Sequence, residues 1–164
     1  ARTTQDAVSA MGLRDGPIHA ELRLNEAGPV IIEVAARSIG GLCSRVLRFG
    51  AGVSLEELIL RHALSLPITS FEREAQPAGV MMLPIPGERP GRLEAVDGID
   101  AARSLPEILD VTLTVPIGER VIPLPEGNRY LGFIFARAES AETVEQALRE
   151  AFALMNFVIA EEVT

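Results

Sequence analysis

Polar and apolar residues alternate strictly along residues 18–24. The apolar positions fall on one face and are Ile18, Ala20, Leu22 and Leu24, whereas the polar positions are His19, Glu21 and Arg23. Side chains alternate between the two faces of a β-strand, so this period of two predicts a strand with one face buried.

A second strand is predicted from Val30 to about Ala36. Between the two strands lie about five residues centred on Ala27, which are rich in turn-forming types. If this loop is symmetric, the strands form an antiparallel hairpin in which Leu22 faces Ile32 and Glu21 faces Glu33. The sequence therefore predicts two carboxylates opposite each other on the polar face.

Three helices are predicted around this hairpin. Thr3 or Thr4 can cap a first helix that ends near Gly12. A second is predicted over residues 42–49 from their apolar spacing. Ser54 and Glu57 form a capping box for a third, which ends before Pro67.

The pattern changes to short strands after residue 77. They are predicted over residues 79–84, 92–96, 111–115 and 129–137, with turn residues between them. Ser140 then caps a long helix with one apolar stripe. The predicted fold class is α+β: an antiparallel hairpin with helices in residues 1–66, a linker over 67–77, and a small, mostly antiparallel β domain with a C-terminal helix in 78–164.

Composition and charge argue against some classes of function. The chain has 164 residues, 48% of them hydrophobic, and a net charge of −8. This charge argues against a nucleic-acid-binding surface, and the apolar runs are far shorter than the roughly 20 residues of a membrane-spanning helix. With a single cysteine, the chain fits a reducing compartment, and we expect a soluble cytoplasmic protein without membrane or nucleic-acid partners.

The basic residues are all arginines, 15 in number, and there is no lysine. A lysine that grips nucleotide phosphates is therefore absent from this chain.

The opposed carboxylates of Glu21 and Glu33 have two interpretations. Like charges directly opposite each other destabilise a sheet, and a hard divalent cation would relieve the repulsion. Alternatively, the pair belongs to a solvated face on which arginines neutralise the acids. A register slip of one residue would also separate them.

A resemblance to a known family favours the interpretation of Glu21 and Glu33 as a metal-binding pair. Residues 16–21, together with the run from Ile32 to Gly41 (IEVAARSIGG), resemble the end of the ATP-grasp fold. The resemblance covers the branch that holds amino-acid ligases, biotin carboxylase and the purine-pathway ligases. Residues 129–143 are similar to the small C-terminal domain of that branch, with bacterial L-amino-acid ligases showing the greatest likeness.

The resemblance implies an ATP-dependent carboxylate–amine ligase that works through an acyl phosphate, with ATP and Mg²⁺ (or Mn²⁺) as cofactors. By the same resemblance, Glu21 and Glu33 are metal ligands that also hold the nucleotide, and Arg37 is the catalytic arginine. His19, Gly40 and Gly41 are weaker candidates for substrate binding.

The family pattern has an asparagine ligand where this sequence has Ala35. The second metal could then be held by Glu33 and phosphate oxygens alone, or bind more weakly. Two alternatives remain: another ATP-grasp enzyme, carboxylase-like or of the purine pathway, and a non-catalytic interaction module, which Ala35 favours.

The expected partners are an N-terminal part of the same protein, small carboxylate and amine substrates and, as a possibility, a second copy of the chain. We expect the chain alone to be inactive as a ligase and to bind Mg-ATP only weakly.

Overall fold

The computed structural model describes residues 2–162. The chain divides into two compact units, Ala1–Glu74 and Ala75–Thr164, here called the N-terminal and C-terminal units. Each is described by itself. No helix in the described part of the chain combines the length and apolar character needed to cross a membrane.

The N-terminal unit begins with helix α1 and a hairpin. Helix α1 spans Arg2–Ala10, and the chain leaves it through Gly12, whose φ of 73° is in the left-handed region that favours glycine. Strands β1 (His19–Asn25) and β2 (Gly28–Ala35) pair antiparallel, and α1 packs against β2. The predicted hairpin is confirmed.

The turn of the hairpin is tighter than predicted. Asn25 pairs with Gly28, so only Glu26 and Ala27 lie between the paired residues. The Asn25 side chain accepts a hydrogen bond from the Ala27 N–H at 2.9 Å, which stabilises the tight turn. Leu22 therefore faces Ile31 instead of the predicted Ile32.

A β-bulge restores the predicted register further along. The register shifts between Glu21 and Leu22, where Ile32 is the extra residue, and Glu21 then pairs with Glu33. The short turn and the bulge compensate each other, so that the two acids are opposed as predicted although the predicted turn was too long.

The helix predicted over residues 42–49 is wrong except for one turn. Cys43–Val46 is a single 3₁₀ turn, and Arg48–Phe49 is already strand β3, paired with strand β4 at Val53–Ser54. The tight Gly50–Gly52 turn between these strands, with φ of 53° at Gly50 and 91° at Gly52, leaves no room for a longer helix.

Helix α2 spans Leu55–Ala63 and has a well-defined cap at each end. At its start, the Ser54 hydroxyl accepts a hydrogen bond from the Glu57 N–H at 3.1 Å, as predicted. At its end, the Ser65 N–H donates to the His62 carbonyl and the Leu66 N–H to the Arg61 carbonyl, which is the Schellman pattern. Ser65 occupies the left-handed position, with φ at 54°.

The segment expected as a linker, residues 67–77, is hydrogen-bonded to the N-terminal unit in its first part. Arg73 forms a β-bridge with Phe49, the Gly50 N–H donates to the Glu72 carbonyl at 2.9 Å, and the Glu74 N–H donates to the Arg48 carbonyl at the same distance.

The C-terminal unit contains two three-stranded antiparallel sheets, ordered β5-β9-β7 and β10-β6-β8. Helix α4 has the Ser140 cap, whose hydroxyl accepts a hydrogen bond from the Thr143 N–H at 3.1 Å. The elements in chain order are β5 (Ala78–Leu83), β6 (Gly91–Asp97), α3 (Ile99–Arg103), β7 (Ile108–Leu113), β8 (Arg120–Val121), β9 (Gly132–Arg137), α4 (Ala141–Ala153) and β10 (Asn156–Glu161).

The core of the C-terminal unit lies between its sheets and helices. Ile134 of the central strand β9 is fully buried, as are Leu83 and Leu93. Helix α4 approaches β5 at Gly79, where a Cβ atom would lie 2.7 Å from Val144, so only glycine fits there without a shift. The buried face of α4 comprises Val144, Ala147, Leu148 and Ala151.

The α+β fold class is confirmed. Three elements of the C-terminal unit were not predicted, namely α3, β8 and β10. The last of them follows α4, so the predicted helix is not the final element of the described chain.

Candidate functional site

The two acidic residues of the hairpin are direct partners across β1 and β2. Glu21 and Glu33 are cross-strand partners, and they lie on the side of the bulge away from the turn. Their side chains are 53% and 48% exposed, so both carboxylates are open to solvent. The hairpin therefore presents two like charges from neighbouring strands to an incoming ligand.

Each carboxylate has a separate neighbour that can carry positive charge. The His19 Nε2 atom lies 3.1 Å from a Glu21 carboxylate oxygen, and an Arg37 guanidinium nitrogen lies 3.4 Å from a Glu33 oxygen. His19 is opposite Ala35. The solvated-face interpretation thus has geometric support, because Arg37 partly neutralises Glu33 and the His19 imidazole contacts Glu21.

Arg37 follows the end of β2 and is loosely held. Its second terminal nitrogen donates to the Ser38 carbonyl at 3.1 Å, and its side chain is 54% exposed. The contact with Glu33 is long for a charged hydrogen bond, which is usually about 2.7–2.9 Å. The guanidinium is therefore available to an anionic group of a ligand beside Glu33.

Gly40 and Gly41 form the loop that leads from the hairpin to the 3₁₀ turn at Cys43–Val46. Gly41 has φ at 63°, and a Cβ atom added at Gly40 would meet nothing within 4 Å. At Gly40 the backbone is thus open on the side where a side chain would stand. No contact with a ligand is assigned to either glycine by this geometry.

The donor set fits a cation that takes only part of its ligands from protein. Within residues 2–162, no three histidine, cysteine, aspartate or glutamate side chains come together as a potential metal site. The methyl group of Ala35 supplies no donor. Mg²⁺ in nucleotide sites commonly uses one or two carboxylates together with phosphate and water oxygens, and Glu21 and Glu33 match that requirement.

One polar contact in the N-terminal unit was not predicted from the sequence. Ser44 in the 3₁₀ turn is 8% exposed, and its hydroxyl donates a hydrogen bond to the Glu56 carboxylate on α2. This hydrogen bond is the main reason that the pKa of Glu56 lies below its ordinary value. The contact ties the turn after Gly40–Gly41 to α2, and no short sequence motif signals a pair twelve residues apart.

Two family models match consecutive parts of this chain. The ATP-grasp domain matches residues 1–46, which contain the hairpin and Arg37. The L-amino acid ligase C-terminal domain 2 matches residues 84–160, which lie in the C-terminal unit. Both matched stretches thus resemble domains of the ATP-grasp ligases. The order of the two matches agrees with the order in which the resemblances occur along the sequence.

Individual ATP-grasp relatives agree with this assignment. The crystal structure of L-amino acid ligase from Bacillus licheniformis is 29% identical, with a TM-score of 0.76, and the match covers 96% of this chain and 39% of that one. Phosphoribosylglycinamide synthetase from Anaerococcus prevotii, at 17% identity and the same TM-score, covers 96% of this chain and 40% of that one and shows the shared fold.

A curated relative is the uncharacterized protein y4rH of Sinorhizobium fredii (strain NBRC 101917 / NGR234). It is 29% identical over 147 residues, which are 90% of this chain and 30% of that protein. The chain thus spans between 30% and 40% of the length of these relatives.

Proposed function

We propose that this chain carries the metal-binding carboxylates and the substrate arginine of a cytoplasmic, ATP-dependent carboxylate–amine ligase that acts on amino acids. The observation that carries the proposal is the direct pairing of Glu21 with Glu33, with the Arg37 guanidinium beside Glu33. The family model over residues 84–160 supports an amino-acid substrate within the ATP-grasp ligases.

The repulsion between Glu21 and Glu33 is the reason why the site would take a cation. Opposed like charges cost stability in a sheet, and the two carboxylates are free to offer oxygens because both are about half exposed. When bound, Mg²⁺ or Mn²⁺ would offset charge on the ATP phosphates during phosphoryl transfer. His19 would hold the Glu21 carboxylate in position through their 3.1 Å contact.

Arg37 would bind the carboxylate substrate or the oxyanion that develops from it. A guanidinium matches a carboxylate through two parallel hydrogen bonds, and the weak contact with Glu33 can be exchanged for such a pair. In the proposed reaction the carboxylate attacks the γ-phosphate of ATP. An acyl phosphate and ADP result, and the amine then displaces phosphate to form the amide.

The remainder of the nucleotide site would come from an N-terminal part of the same protein. With no lysine in the sequence, this chain has no ammonium group to hold phosphates, and its two carboxylates repel them unless a cation is bound. We therefore propose that the chain alone has no ligase activity and binds Mg-ATP in the millimolar range.

Substitution of Glu33 by glutamine tests the site. In a protein that includes the N-terminal part, Glu33→Gln should lower amino-acid-dependent phosphate release from ATP by at least about 100-fold, because a metal ligand and its charge are lost. The isolated chain gives a second measurement: Mn²⁺ should broaden the amide NMR signals of residues 19–22 and 32–35 in the original chain, and much less in the variant.

The matched control is Glu26→Gln, which removes an exposed carboxylate from the tip of the same hairpin. It should leave both phosphate release and Mn²⁺ broadening unchanged. Nearly normal activity of Glu33→Gln would contradict the proposal. Ala35 favours a second candidate, a non-catalytic module that retained the fold, and this candidate predicts no Mn²⁺ effect at all in the hairpin.

A further inference from the structure

A groove runs along helix α2 in the N-terminal unit, and none of Glu21, Glu33 and Arg37 lines it. Its deeper end is apolar, has a volume of about 260 Å³ and is lined by side chains that include Pro17, Phe49, Leu55, Leu58, Ile59 and Phe71. An apolar cavity of about 150 Å³ already accepts benzene, so this end has room for a phenyl or branched alkyl group.

Beside it lies a second part of about 400 Å³, here called the polar end because it contains the polar side chains, although most of its surface is apolar. It shares Pro17, Ile59 and His62 with the apolar end. The residues that make it polar are Asp15, His62 and Ser65. The two ends are therefore one surface feature, here called the α2 groove, with an apolar part beside a part that carries a carboxylate.

The apolar wall contains a side chain that the rest of the chain leaves largely exposed. Phe71 is 68% exposed although it lies at the apolar end, whereas Leu58, at the base, is 6% exposed. An apolar ligand that covers this exposed phenyl ring removes apolar surface of both the ring and the ligand from contact with water, which is favourable.

The charges at the polar end decide which apolar ligands fit. Among residues 2–162, the side chains of Asp15 and His62 take part in no hydrogen bond or ion pair, so their polar atoms are available. The neighbouring arginine of α2, Arg61, is already engaged by Glu57 at 2.8 Å and by the Pro67 carbonyl at 3.2 Å. The charge offered to a ligand in this part of the groove is that of a carboxylate.

We propose that the α2 groove binds a small hydrophobic organic cation, with its phenyl or branched alkyl group in the apolar end and its ammonium group beside Asp15. The Ser65 hydroxyl oxygen can accept one ammonium hydrogen. A hydrophobic carboxylate would meet the same apolar wall but would be repelled by Asp15. The groove is a separate ligand site and does not depend on the ligase reaction.

The test is a titration of the 164-residue chain with two matched probes, followed by NMR. The 2-phenylethylammonium ion should shift the amide signals of residues 15, 16, 58–62 and 71 and saturate in the millimolar range. The 3-phenylpropanoate ion, of similar size but opposite charge, should bind at least about threefold more weakly, the ratio expected for an exposed charge contact.

Two exposed residues of the groove can be changed without touching the core. Asp15→Asn should weaken ammonium binding about threefold and remove the preference over the carboxylate. Phe71→Ala should weaken both probes about fivefold, because it removes part of the apolar wall. The controls are Asp6→Asn on α1 and Leu60→Ala on α2, where Leu60 is 61% exposed and does not line the groove. Neither control should change binding.

Several outcomes would overturn the proposal. These are equal binding of the two probes, shifts that do not saturate, and equal losses in the Leu60→Ala control. Shifts of the groove residues that depend on protein concentration without any probe would show that a second copy of the chain occupies the groove, which also contradicts a small-molecule site.

Discussion

The two units differ in how completely they bury their own apolar residues. Among residues 2–162, the buried apolar side chains of the N-terminal unit are Val46 and Leu58, and all the others belong to the C-terminal unit. In the hairpin, by contrast, Leu24 is 80% exposed and Ile32 64% exposed. The strand predicted to be half buried thus exposes its apolar face at the tip.

Because of this difference, we expect the C-terminal unit to be the more stable one, whereas the candidate functional residues lie in the N-terminal unit. The C-terminal unit has a closed core between two three-stranded sheets and α4, which is enough for independent stability. The N-terminal unit holds the opposed acids on a two-stranded hairpin, which is marginally stable without further packing. The residues proposed to bind metal and substrate therefore lie in the part of the chain expected to open most easily.

The largest expected effect is a truncation in the C-terminal core. Ile134→Ala should lower the free energy of unfolding of that unit by about 3–4 kcal/mol, since Ile134 is fully buried on the central strand. Tyr130 is the only tyrosine and there is no tryptophan, so tyrosine fluorescence in a urea titration reports on this unit alone.

The matched change in the N-terminal unit is Leu24→Ala. It should alter the stability of the hairpin by less than about 0.5 kcal/mol, because the side chain is already exposed in the folded chain. Amide hydrogen exchange of β1 and β2 measures it. A cost at Leu24 as large as at Ile134 would show that the hairpin tip is buried in solution, and the contrast between the units would fail.

A stabilising substitution, with an effect smaller than that of Ile134→Ala, is expected at the end of α2. Ser65 holds the left-handed position of the Schellman pattern, where a side chain costs about 1 kcal/mol relative to glycine. Ser65→Gly should therefore stabilise the N-terminal unit by somewhat less than that amount, since glycine also gains freedom when unfolded. Urea titration followed through the NMR signals of α2 checks it.

The control for this change is Ser70→Gly, in the same unit but outside the helix end, where no such gain is expected. If Ser65→Gly destabilised α2, the left-handed conformation at Ser65 would be contradicted.

Local sequence patterns predicted the elements whose causes are local. The alternation in residues 18–24 predicted strand β1, although not its exposure, and the Ser54 and Ser140 caps and the stripe of α4 are observed, because each depends on neighbours within one element. Strand β10 was missed because its pairing partner β6 lies about 60 residues away in the sequence. The apolar spacing of residues 42–49 suggested a helix, but the turns that follow it admit only one 3₁₀ turn.

The opposed acids of the candidate site were predicted through two errors that cancel. The assumed symmetric loop was too long, and the bulge at Ile32 was not foreseen, yet Glu21 faces Glu33 in both arrangements. Bulges have no reliable sequence signature, so the pattern of residues alone does not determine the register of the hairpin. The long-range hydrogen bond between Ser44 and Glu56 is of the same kind, since it depends on packing of two separate elements.

The last expected effect, which is also small, concerns this hydrogen bond and the response of the N-terminal unit to acid. The pKa of Glu56 is lowered from its ordinary value of 4.5, chiefly by the Ser44 hydroxyl. A carboxyl with a lowered pKa in the folded state contributes stability at neutral pH, and loses it as the pH falls below about 4.5 through the folded value. Because Glu56 is largely exposed, the contribution should stay under about 1 kcal/mol.

Glu56→Gln should therefore destabilise the N-terminal unit slightly at pH 7, and this difference should shrink as the pH falls below about 4.5 and the carboxyl of the original chain becomes protonated. Ser44→Ala should reduce the same pH dependence, whereas Glu26→Gln at the hairpin tip should preserve it. Amide exchange of α2 measured across this pH range distinguishes these cases. A difference between Glu56→Gln and the original chain that stays constant with pH would mean that the hydrogen bond stabilises the unit through its geometry and not through the charge of Glu56.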